Sequence, residues 1–267
     1  MFMIKFFRNV RQNLLIGGNS TSAKAGKPAL SVSRYLKYAF GEIFLVMVGI
    51  LLALQINNWN EKRKETNQTI DLLENMIKDL KVDIGVLGYQ IDNFNQHISS
   101  ARMLLTSNDY QSFSSDSIYN LLPTNSTRYQ IVNLTFEKLK NFGATKILDS
   151  DELMNTITTY YTTTSNILQM GVSWDFEYAL KATDFWRLGE HFEAPILNDT
   201  LSMPFLESEL ERKATFIKEL SSTKSRNHIR YAISRKLSVV MIFDAVKSKA
   251  EELIKSIEQE LDKTKSK

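Results

Sequence analysis

The sequence predicts an all-α protein with a single N-terminal transmembrane helix, followed by a long heptad-patterned helix and an extracytoplasmic helical bundle. Three observations lead there. Residues 38–59, YAFGEIFLVMVGILLALQINNW, hold no polar side chain from Ile43 to Leu54. Apolar residues then recur at alternating spacings of three and four from Ile70 onward. Only 10 glycines and 4 prolines punctuate 267 residues, too few for a Gly/Pro-rich sandwich or a βαβ repeat.

Residues 1–16 read as a basic amphipathic cytoplasmic helix. Met3, Phe6, Phe7, Val10 and Leu14 share one face, with Lys5, Arg8, Arg11 and Gln12 largely opposite. Such a helix lies on an anionic inner leaflet, where each cation near the surface contributes ~1 kcal/mol; a loosely ordered basic tail is the alternative. Residues 17–37, rich in Gly, Ser, Ala and Lys around Pro28, read as a flexible linker.

The apolar core of the next segment is short against the ~20 residues a span needs, but Ala39, Phe40, Gly41 and Ile56 extend it. Tyr35, Tyr38, Phe40 and Trp59 supply rings suited to headgroup depth. The core helix of a soluble protein would have the same length, and the flanks decide between the two. Before Glu42 stand Lys5, Arg8, Arg11, Lys24, Lys27, Arg34 and Lys37 with no acidic residue, whereas Lys62, Arg63 and Lys64 on the exit side mix with Glu61 and Glu65. The excess of cations places the N-terminus in the cytoplasm and the remainder in the periplasm of a bacterium. No small-x-small cleavage site follows the apolar run, so it reads as a retained signal anchor. Glu42, Gly49 and Ala53 fall on one helical face, and the spacing Gly49-x-x-x-Ala53 permits close contact with another membrane helix. In the plainer account, Glu42 reaches the interface and the small residues are incidental.

Residues 60–267 form the outer domain. Its long helix, 61–106, carries a seam of Ile70, Leu73, Ile77, Leu80, Ile84, Leu87, Ile91, Phe94 and Ile98. The same phase places Ile56 and Trp59 on the seam, so span and seam read as one rod, although Asn57, Asn58 and Asn60 favour a kink. A C-terminal helix, 226–262, repeats the spacing at Ile229, Ile233, Val240, Phe243, Ala250, Ile254, Ile257 and Leu261, interrupted by Lys236 and Lys247. The seam either faces this helix or joins a second copy in a parallel homodimer; the first is favoured because the C-terminal stripe must be buried somewhere. Middle helices fill 130–220. They comprise Gln130 to Asn141, then Asp151 to Met170 opened by Asp149 with Glu152 at capping-box spacing, Trp174 to Leu188, and Phe205 to Leu220. Ser107 to Ser117 reads as a loop, and Thr162, Thr163 and Thr164 sit poorly in a helix. Adjacent Tyr160 and Tyr161 would point about 100° apart on a helix, one into the core and one to its rim.

The resemblance of this chain to a known family rests on KFFRNVRQNLL near the start, then RYLKYAFGEIFLVMVGILLALQINNWNEKRK, and FEKLKNFGATKILDSDELMNTITTYY. These resemble an uncharacterised bacterial family, a domain of unknown function with one N-terminal span. The GEI and GILLALQINNWNE elements are specific, and Leu139, Gly143, Glu152, Leu153, Tyr160 and Tyr161 match the later stretch of its pattern. What the resemblance implies is topology; it carries no activity, cofactor or catalytic residue.

The chemistry legible in the residues is sparse. No cysteine occurs, which removes disulfides, thiolate metal sites and cysteine nucleophiles, and suits a bacterial outer domain. The net charge of +3 comes largely from the cations before the span, and nothing suggests nucleic acid. HExxH, CxxC, GxSxG and P-loop patterns are missing, and no cofactor is expected. Asp175, Asp184 and His191 are the best metal candidates, but their spacing fits no known scheme and suits a helix with ordinary core and surface positions. His97 and His228 read as surface residues. The expected role is a binding or scaffold protein on the outer face of the inner membrane, with the lipid bilayer and another protein as partners. A ligand-binding sensor domain that signals through a partner is the alternative, and an enzyme is less favoured.

Overall fold

The computed structural model describes residues 32–142, 148, 150–189, 192–196 and 203–266. The basic N-terminal helix and most of the linker expected from the sequence lie outside these residues. The described residues form seven α-helices: α1 Val32–Thr106, α2 Ser115–Tyr119, α3 Leu134–Asn141, α4 Asp151–Thr159, α5 Ser165–Arg187, α6 Glu209–Leu220 and α7 Thr223–Lys265. A short 3-10 turn, Asp109–Ser112, precedes α2, and a π-helical turn, Tyr160–Thr164, joins α4 to α5. Among the described residues there is no strand. The asparagines at 57, 58 and 60 do not interrupt α1, and Asn57 donates to Glu61 one turn on at 3.1 Å.

The chain divides into two units after Glu61. In the first, the large side chains Phe40, Ile43, Phe44, Leu45, Ile50, Leu51, Leu52, Leu54 and Ile56 are all more than half exposed. The most apolar window has a mean hydropathy of 2.2 and none of it is buried; among the described residues this is the one helix long and apolar enough to cross a membrane. Glu42, Gly49 and Ala53 are exposed as well, and a Cβ added at Gly49 would meet nothing within 4 Å.

The second unit, residues 62–267, has its own core. Its stretch of α1 runs antiparallel to α7. Lys265 reaches Glu74 at 3.4 Å, the rings of Phe94 and Phe243 meet edge to face at 5.7 Å, and Arg226 donates to the carbonyl of Leu105 at 3.2 Å. Leu73, Leu80, Leu87 and Phe94 of the seam share one core with Phe243, Val246, Ala250 and Ile257 of α7, so the seam is filled from within the chain. Burying each of these Leu side chains stabilises by about 1.5–3 kcal/mol. The deepest stripe of α1 is Leu73, Met76, Leu80, Asp83 and Leu87, while Ile70, Ile77, Ile84 and Ile91 are only partly buried. The stripe is wider than a two-helix seam because α3, α4 and α5 also contribute Phe136, Leu139, Leu153, Ile157 and Leu168 to this core. A second cluster joins Ile98, Ala101 and Leu104 to Ile118, Tyr119, Trp186, Phe216 and Ile229.

Several boundaries differ from the sequence expectation for local reasons. Residues read as a loop at 107–117 contain the 3-10 turn and the start of α2, whose N-cap Ser114 accepts from the Ser117 N–H. Helix α4 is capped by the Ser150 side chain, which accepts from the Leu153 N–H. The expected break between residues 170 and 174 is not there: α5 continues to Arg187, and the irregularity falls at the threonine run, taken up by the π-helical turn. Helix α6 begins at a full capping box of Ser208 and Glu211, four residues later than expected.

Candidate functional site

The polar chemistry of the second unit lies inside it, beneath a strap of residues 123–133 without regular secondary structure. Four side chains from three helices bond to the backbone at or just beyond this strap. Lys236 Nζ of α7 donates to the Asn125 carbonyl at 2.5 Å, and Gln169 Nε2 of α5 donates to the Tyr129 carbonyl at 3.0 Å. Asp83 Oδ1 of α1 accepts from the Val132 N–H at 3.0 Å, and Asp79 Oδ2 accepts from the Thr135 N–H at 3.3 Å. Arg128 adds a cation over the Phe176 ring at 3.7 Å, and Ile131 enters the core. The expected helix at 130 therefore starts only at Leu134, because the backbone before it is committed to these side chains.

Asp83 is fully buried and also accepts from the hydroxyls of Tyr129 at 2.5 Å and Tyr160 at 3.2 Å. Burial raises its pKa, while these three donors and the nearby Asp79 modify the shift, the donors downward and Asp79 upward. Burial, reinforced by Asp83, likewise raises the pKa values of Tyr129 and Tyr160, which keeps both as donors. Both Tyr160 and Tyr161 are buried, contrary to the expectation of one at the rim. The π-helical turn that starts at Tyr160 breaks the regular α-helical stagger, and Tyr161 stacks on Phe136 at 4.5 Å.

A second cluster holds three charges. Asp175 of α5 and Arg235 of α7 form an ion pair with both side chains 1% exposed, and Arg235 also donates to the Asp175 carbonyl. Lys236 beside them is fully buried, its ammonium 4.4 Å from the Phe94 ring centre. Burial raises the pKa of Asp175, opposed by Lys236 and Arg235, and pushes that of Lys236 down to about 8. Half-buried His97 is pushed down too, by burial and then by Lys236. Asp175 Oδ2, Arg235 Nε and Asn125 Oδ1 have no hydrogen-bond partner. This cluster can hold position and respond to charge; it offers neither a nucleophile beside a base nor a set of metal ligands.

A third buried cation, Arg212, ties α6 to α2 through Asp116 at 2.5 Å and packs 3.5 Å from the Phe205 ring centre. The Ser115 hydroxyl and N–H both donate to Glu209 at 2.7 Å, and these bonds lower the pKa of that carboxyl.

Of the metal candidates, Asp175 and Asp184 are not brought together. Asp175 is buried against Arg235, Asp184 is exposed more than two turns further along α5, and His191 lies outside the described residues. Among the described residues no group of three His, Cys, Asp or Glu could hold a metal ion. His97 is half-buried, and His228 stacks on Phe185 at 4.0 Å. Sequence reasoning passes over Asp83 and Lys236 as sites. The signal for each is a charged residue inside an apolar stripe, which in the C-terminal pattern reads only as an interruption at Lys236.

Residues 42–110 match DUF6090, a family of unknown function. The matched stretch begins in the GEI element and runs through the heptad seam into the second core cluster at Tyr110. No curated protein and no solved structure matches the chain.

Proposed function

We propose that the chain is a single-pass protein of the bacterial inner membrane whose outer helical bundle binds a partner protein and acts as a scaffold. The N-terminus faces the cytoplasm and residues after about 60 face the periplasm. The observation that carries this reading is the contrast between the two units. The large apolar side chains from Phe40 to Ile56 have no core to enter, whereas those of the second unit close around one of their own. In water such a helix would be an aggregation liability; in a bilayer it is the stable state. The absence of acidic residues before Glu42 sets the orientation. A binding role asks only for a stable, anchored surface, and the buried charges serve to hold the strap across α1, α5 and α7. Extraction of isolated membranes tests the anchor: the protein stays in the pellet through high salt and alkaline carbonate and is released by mild detergent. Release of intact protein by salt would overturn it.

The sensor reading is favoured by one observation, the Asp175, Arg235 and Lys236 cluster. A buried excess charge is costly and can tip between two packings when a ligand or a proton arrives. A thermal-shift screen of the detergent-solubilised chain separates the two, since stabilisation by a small ligand supports sensing and co-purification of one protein without such a ligand supports the scaffold.

A further inference from the structure

Residues 153–174, LMNTITTYYTTTSNILQMGVSW, contain no Asp, Glu, Lys or Arg, although these make up 24% of the chain. The run forms most of α4, the π-helical turn and the first half of α5. Its exposed positions include Thr159, Thr163, Asn166, Ile167 and Met170. Asp175 just beyond is buried, so between Glu152 and Glu177 no charged side chain of this helix reaches the surface. Helix α7 lies alongside, close enough that a Cβ on Gly171 would sit 2.5 Å from the tip of Ile242. Between Arg230 and Asp244 it too exposes only neutral residues, among them Tyr231, Ser234 and Met241, because Arg235 and Lys236 are buried. Elsewhere α7 has an ordinary charged surface, with Lys249 and Glu252 paired and both more than half exposed.

We infer that this uncharged face of α4, α5 and α7 is where two copies of the chain pair about a two-fold axis. A two-fold axis lays a patch on its own image, so a charge near the axis meets its like or is buried unpaired. A partner of different sequence could answer charge with charge and would not need the face cleared of it. The centre is apolar: Met170 and Met241 are each 73% exposed and Ile167 51%. Depletion of charge with exposed Met and aromatic side chains is the composition of an interface core. Desolvation is cheap here as well, since Thr156 and Thr162 already donate their hydroxyls to the carbonyls of Glu152 and Thr158 at 2.9 and 2.7 Å. A face ~36 Å long on α4 and α5 and ~20 Å long on α7, each helix ~10 Å wide, offers ~550 Å² per partner, or ~1,100 Å² in a pair, just above the ~1,000 Å² total that a specific interface clears. The heptad seam is not free for this purpose, because α7 of the same chain fills it.

The chain has no cysteine, so single substitutions report position without background. Full-length protein in native membranes would carry Thr159→Cys, Thr163→Cys, Asn166→Cys or Met170→Cys, with Lys249→Cys and Glu252→Cys as controls, and be treated with a short bis-maleimide. At least one face position should give covalent dimer several-fold above the controls. Adding Ile167→Glu to that variant should return it to the control level while its melting temperature is kept; Thr163→Lys serves if Ile167→Glu lowers the melting temperature. Pairing through the membrane helix alone would cross-link face and control positions alike. That result, or cross-linking indifferent to the added charge, overturns the proposal.

Discussion

At the scale of single residues, the buried polar groups set the pH dependence of the second unit. The unfolded chain holds the Lys236 proton up to its ordinary value of 10.5, whereas the folded chain holds it only to about 8. The unfolded state therefore binds more protons in that window, and stability rises with pH between them. Urea titrations across this range should show the rise, and Lys236→Met should abolish it. Asp83 works in the opposite direction: its raised pKa makes the folded state the better proton binder, so stability falls as pH climbs above 3.8 through the raised value. Asp83→Ala strands the hydroxyls of Tyr129 and Tyr160 and the N–H of Val132, at about 1–3 kcal/mol for each group left unpaired. Arg235→Met leaves Asp175 buried without its ion-pair partner and should cost about 3–5 kcal/mol. Neither Asp83 nor Arg235 was legible as a site from the sequence, because their partners lie 46 to 77 and 60 residues away respectively.

At the scale of elements, periodicity made the two long helices legible and misjudged what lay between them. The alternation of three and four along α1 and α7 records a buried stripe directly, whereas capping competes among neighbouring polar residues, so Ser150 could cap α4 in place of Asp149. The threonine run signalled an irregularity correctly but not its kind: a π-helical turn absorbs the mismatch without ending the helix. The strap escaped notice because side chains distant in sequence hold its backbone. Gly171 is a point of close approach of α5 to α7. The atom in the way is the flexible tip of Ile242, so Gly171→Ala should change stability by no more than about 1 kcal/mol, clash offset by helix propensity. Gly171→Leu overpacks the contact and should cost about 1–3 kcal/mol or more, read as a lower denaturation midpoint.

At the scale of the whole molecule, the seam and the apolar helix make separate claims. Because Leu80 is fully buried between helices of one chain, Leu80→Asp should unfold the second unit, with loss of helical circular dichroism, and not merely dissociate a pair of copies. A folded Leu80→Asp chain would contradict the intramolecular seam. The apolar helix was the clearest signal in the sequence, since an unbroken run of apolar residues from Ile43 to Leu54 stands apart from the amphipathic stripes that follow it. The function was the least legible, since a binding surface has no obligatory residue types. The most direct test of the proposed anchor is labelling of intact cells with a membrane-impermeant maleimide, using single cysteines on either side of residues 38–59. Lys218→Cys should be labelled from outside once the outer membrane is permeabilised, and Ser22→Cys only after the inner membrane is broken; equal labelling of both before lysis, or the reverse order, would contradict a single span with its C-terminal unit in the periplasm.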